Sequence, residues 1–223
     1  MKKTVLAGVV AGFSLLGMSN GALAAMDYDY SGTFAKDNDV LCVEFTVDTA
    51  SEITLFTSSW NTGGFDPLLT IWDSTGTYLF DWDDTMDGNP GSAESNSVSY
   101  AFSYYDVVYT DTFEPGSYIA TITQYYNYAN GATLPGATLA DGFTYDDEPH
   151  YTRDILSVGS YEYFNGFSTS GSSVHTTGDL EFHIVNVSSA QLKDCNPVPV
   201  PPSVLLLATS LAGLAGVGIR RKK

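Results

Sequence analysis

Alternation with a period of two dominates the clearest segments of this chain. Along residues 40–47, Leu41, Val43, Phe45 and Val47 fall on one side, and Cys42, Glu44 and Thr46 on the other. Near the other end, Leu180, Phe182 and Ile184 oppose Glu181, His183 and Val185. Between these limits no ten-residue window carries helical periodicity. β-prone segments at 52–60, 68–72, 77–82, 97–102, 106–110 and 117–125 are separated by turn signals roughly every ten residues. The loop Asn61-Thr62-Gly63-Gly64, the turn Asp73-Ser74-Thr75-Gly76 and Glu114-Pro115-Gly116 are such signals. Residues 83–92 read as loop. Residues 127–179, rich in Gly, Asn, Thr and Tyr, read as long loops with short strands around Tyr151 and Tyr161. The pattern predicts an all-β chain, an antiparallel sandwich or barrel.

Both ends stand apart from that pattern. Lys2 and Lys3 precede an apolar run over 4–18 and the small-x-small site Ala22-Leu23-Ala24, so residues 1–24 are expected to be a cleaved signal peptide. Gly8, Gly12 and Gly17 interrupt the run and argue against a permanent anchor. Residues 197–223 carry Pro199, Pro201 and Pro202, then an apolar segment over 203–219, then Arg220-Arg221-Lys222-Lys223. Seventeen apolar or small residues are at the lower limit for a membrane-spanning helix. The terminal cations would stay on the cytoplasmic side. A permanent single-pass anchor and a processed sorting tail both fit, and both put the central region outside the membrane. That region, 25–196, is one domain's worth of chain.

Charge narrows the partners. Six of the nine basic residues lie in the two ends, leaving Lys36, Arg153 and Lys193 against all 26 acidic residues, a net charge of −23. Such a surface repels nucleic acid and anionic lipid and collects cations. Cys42 and Cys195 are the only cysteines. After export they either pair, bringing the first and last clear strands together, or remain free thiols.

Few residues suggest chemistry. Asp81, Asp83, Asp84 and Asp87 crowd the end of a strand and the loop after it, as a solvated acidic turn or as a loose Ca2+ site. Spacing from Asp83 to Glu94 imitates an EF-hand loop, but Thr85 and Pro90 break it and no helices flank it. His150, His175 and His183 follow no metal-ligand spacing and read as surface or packing residues. No Gly-x-Ser-x-Gly elbow occurs, no pair of carboxylates is singled out, and the reading is non-catalytic, with no cofactor required. Tyrosines are in surplus. Tyr125, Tyr126 and Tyr128 are either core and cross-strand pairs or a surface suited to stacking on sugar rings.

The tail resembles the PEP-CTERM class of sorting signals, with Val200 where the usual signature has Glu, as in its Val-Pro-x-Pro variants. The resemblance implies a membrane-embedded exosortase-type sorting enzyme, acting after signal peptidase, that reads the region of Pro199, Pro201, Arg220 and Arg221. It would hold the protein at the inner membrane by its tail and then release or attach it at the cell surface or extracellular matrix. Phe65-Asp66-Pro67-Leu68, then Gly76 to Asp84, then Gly116-Ser117-Tyr118 resemble the pattern of pre-peptidase C-terminal (PPC) domains. That resemblance implies a jelly-roll-like sandwich and an accessory, non-catalytic role. The expected function is an exported structural or adhesive protein of the exopolysaccharide matrix. The alternative is a carbohydrate- or Ca2+-binding module, with extracellular polysaccharide as partner, and a secreted hydrolase comes last.

Overall fold

A computed structural model describes residues 25–62, 65–85, 87–152 and 177–195. The expected signal peptide, sorting tail and membrane helix over 203–219 lie outside them, as do Tyr161 and His175. The described residues form eleven strands: β1 (Met26–Thr33), β2 (Leu41–Val47), β3 (Ser51–Thr57), β4 (Pro67–Asp73), β5 (Tyr78–Asp83), β6 (Gly91–Ser95), β7 (Val98–Phe102), β8 (Val108–Phe113), β9 (Gly116–Gln124), β10 (Asp179–Val187) and β11 (Ser189–Leu192). Two short 3-10 turns, Trp60–Thr62 and Leu139–Asp141, accompany them, and no described helix is long and apolar enough to cross a membrane.

Two antiparallel sheets pack face to face. One has the order β1-β10-β3-β8, the other β11-β2-β9-β4-β5. The alternation explains the packing. Val43, Phe45 and Val47 from β2, Leu69 and Ile71 from β4, and Ala120 and Ile122 from β9 enter one core with Ile53 and Leu55 of β3 and Leu180, Phe182 and Ile184 of β10. Burying each large apolar side chain contributes about 1.5–3 kcal/mol.

Each sheet also has a cover on its outer side. Over the first lies the hairpin β6–β7, whose turn residues Asn96 and Ser97 both have positive φ, 50° and 64°. That left-handed pair is the twist a two-residue hairpin favours. β6 begins at Gly91 and Ser92, inside the stretch expected as loop, and its hairpin turn is not announced in the sequence because Ser97 stands in place of the usual Gly. Tyr100 of β7 packs its ring 4.0 Å from that of His183. Over the second sheet lies the segment 127–152, where Ala129 and Phe143 join Trp72 and Ile119 in a smaller apolar cluster. No strand forms at Tyr151, contrary to expectation. Its side chain is instead fully buried, and its hydroxyl donates to the carbonyls of Gln124 (2.9 Å) and Tyr125 (2.8 Å).

The two cysteines meet. β11 pairs with β2, Lys193 N–H donates to Cys42 O at 2.9 Å, and the Cα atoms of Cys42 and Cys195 stand 5.8 Å apart in a disulfide. Cys42 points away from the main core, as its place in the alternation predicts. Closing a separation of 153 residues is worth about 5 kcal/mol in the chain-entropy account.

Candidate cation site

The site forms at one end of the second sheet. β4 and β5 form a hairpin whose turn is held by Asp73 Oδ1, which accepts from Thr75 N (2.8 Å) and Thr77 N (2.9 Å). Its register sets Leu68 opposite Asp83, while Pro67 on the other side faces Gln124 of β9. Asp66 is thereby fixed beside both strands, and its carbonyl accepts from Tyr125 N at 2.8 Å. At Asp84 the backbone turns left-handed (φ 62°), a conformation Asp tolerates better than most residues. From there the chain crosses to the first sheet: Val108 N donates to Asp84 O at 3.2 Å. One carboxylate oxygen from each of Asp66, Asp83 and Asp84 lies within 4.8 Å of the other two.

These acids are poorly solvated and mutually repulsive. Asp66 is only 3% exposed. Burial pushes its carboxyl well above the usual range, and the charges of Asp83, Asp84 and Asp106 push the same way. Burial and the neighbouring Asp84 raise Asp83 to about 7. Burial raises Asp84 too, against a hydrogen bond from Tyr104. Among the described residues, the charges that act on Asp66 and Asp83 are all acidic. Asp66 Oδ1 and Asp83 Oδ1 are buried without a hydrogen-bond partner. Trp82 Nε1, Thr85 Oγ1, Gln124 Oε1 and Asn127 Nδ2 share that condition, so the orphaned polar atoms concentrate in the three segments that meet here. Buried polar groups are normally satisfied.

Of the four aspartates singled out in the sequence, the fold brings Asp83 and Asp84 together and adds Asp66. Asp81 instead accepts a hydrogen bond from Tyr78. Asp87 closes its own loop, accepting from Asn89 N at 3.1 Å. Asp66 was visible only as part of the Asp-Pro-x-Leu pattern. Tyr125, Tyr126 and Tyr128 do cluster, with ring centroids 4.3–6.3 Å apart, and all three are half-buried. They adjoin the acids: the charge of Asp83 acts on both Tyr125 and Tyr128, whose hydroxyls burial raises to about 12. Tyr126 adopts φ 71°, an unusual conformation for an aromatic residue.

A second polar cluster was not legible in the sequence. On the outer side of the first sheet, His183 Nδ1 lies 2.7 Å from Asp29 Oδ1 and its Nε2 lies 3.1 Å from Ser58 Oγ. The residue types are those of a hydrolytic triad. Yet Ser58 is buried and its hydroxyl lies 2.6 Å from Glu181 Oε2. The N–H groups of the next two residues, Ser59 and Trp60, are engaged by buried Asp106 at 2.8 and 3.2 Å. The cluster ties β1, β3 and β10 to the covering hairpin. His150 is half-buried, and His183 is a buried packing residue.

No family model matches this chain, and no curated protein matches it.

Proposed function

We propose that this is an exported, non-catalytic β-sandwich protein of the cell surface or exopolysaccharide matrix, delivered by a PEP-CTERM/exosortase-type system. The observation that carries the reading is the contrast between the ends and the middle. A basic-apolar segment with a cleavage site opens the chain, a Pro motif, apolar run and basic cluster close it, and the domain between them has a charge of −23. A disulfide suits an oxidising compartment. In this reading the domain is jelly-roll-like and accessory, and the tail is its membrane tether until processing. Mass spectrometry of the protein recovered from its native cells tests it. The expected mature chain begins at Ala25 and ends near the Pro motif. A protein still ending in Lys223 refutes tail processing.

A second reading, a Ca2+- or carbohydrate-binding module of the matrix, is favoured by one observation: the tyrosine cluster adjoins the buried acids. Retention on the matrix polysaccharide should fall in Tyr126→Ala, and unchanged retention removes the carbohydrate half of this reading.

A further inference from the structure

Three carboxylates at the end of β4 and β5 need a counter-charge that the described side chains do not supply. A cation answers that charge and the unmet acceptors together. Here Asp66 Oδ1 and Asp83 Oδ1 have no hydrogen-bond partner, though each is buried. Asp66 is held in place at 3% exposure, with one oxygen in a group that spans no more than 4.8 Å. Oxygens within that span can share one ion at the roughly 2.3–2.6 Å of Ca2+ ligation, whose flexible geometry accepts irregularly placed carboxylates. The donor set is oxygen alone, which suits a hard divalent ion and not a thiophilic one.

We propose that Asp66, Asp83 and Asp84 hold one Ca2+ ion, joining the β4–β5 hairpin to the crossing into β8 and to the start of the tyrosine-rich loop after β9. Orphaned Thr85 Oγ1 and Gln124 Oε1 belong to the same three segments. The position differs from a site built within the 81–87 loop, because Asp66 replaces Asp81 and Asp87. It deepens the binding-module reading and rests on it only for biological use. Ion binding does not depend on how the chain is exported or sorted, so the mass spectrum of the mature protein and the measurement below fail separately.

Terbium is a suitable probe, since it takes Ca2+ sites and luminesces when excited through nearby aromatic rings. Tyr104 hydrogen-bonds to Asp84, and Tyr125 and Tyr128 adjoin Asp83. The full chain, with its disulfide formed, should give saturable sensitised emission at one ion per chain, displaced by Ca2+ at lower concentration than by Mg2+. Asp66→Asn and Asp83→Asn should each weaken binding at least tenfold, while Asp87→Asn leaves it unchanged. Circular dichroism separates lost binding from lost folding. Should Asp66→Asn fail to fold, Asp84→Asn serves in its place. Absence of saturable emission, or equal weakening by Asp87→Asn, overturns the proposal.

Discussion

Asp106 and Asp66 are both buried carboxylates, one behind each sheet's end, and the fold treats them in opposite ways. Asp106 is inaccessible, and it accepts from Thr57 Oγ1 (3.0 Å), Ser59 N (2.8 Å), Trp60 N (3.2 Å) and Ser103 N (2.8 Å). Asp66 is nearly as buried, has an oxygen with no partner, and faces two further acids. Burial raises both carboxyls, but in Asp106 four hydrogen bonds oppose that shift and make it a structural joint between β3 and the turn before β8. The second is a cost to folding until something neutralises it. Two buried acids of one residue type thus differ in role because one was given donors and the other was given more acids.

The largest effect should come from breaking the satisfied acid. Asp106→Ala leaves four donors without their acceptor and should destabilise the domain by about 3–5 kcal/mol in urea unfolding. A loss below about 1 kcal/mol would mean water replaces the carboxylate and the joint is not structural. Breaking the unsatisfied acid should do the reverse on a smaller scale. In chelator, Asp66→Asn replaces a buried acid that is costly to ionise and should stabilise the domain by about 1 kcal/mol. A large destabilisation there would place Asp66 in the same class as Asp106 and dissolve the contrast.

How much of this could be read from the sequence follows from where period-two patterning operates. Leu41 to Val47 and Leu180 to Ile184 gave their strands and their inward faces directly, since each alternate residue meets the core. β1 did not announce itself: Met26–Thr33 is half-polar and lies at a sheet edge, where one side of the strand has no partner to satisfy. The segment 127–152 folds onto Trp72 and Ile119 through Ala129 and Phe143 with turns rather than strands, a tertiary contact that local pattern does not encode. The site was half legible. Asp83 and Asp84 stand out as neighbours in the chain, whereas Asp66 joins them only through the hairpin register that sets Leu68 against Asp83. His183 looked like a surface or packing residue because its partners, Asp29 and Ser58, are far from it in sequence.

Thermal unfolding from pH 5 to 8, with chelator and with Ca2+, tests the central claim most directly. The folded pKa of Asp83, about 7, is raised above its unfolded value. Its contribution is therefore fully present below about pH 4 and is lost as pH rises through 7. Asp66 is shifted in the same direction. In chelator the melting temperature should accordingly fall as pH rises through 7 toward 8; His183, which burial lowers, acts in the opposite sense only below its ordinary value of 6.5. Saturating Ca2+ should raise it more at pH 8 than at pH 5, because fewer protons compete for the carboxylates, by an increment that grows with ion concentration. Asp66→Asn should abolish most of that rise. A melting temperature that is the same with chelator and with Ca2+ across the whole range would contradict the account.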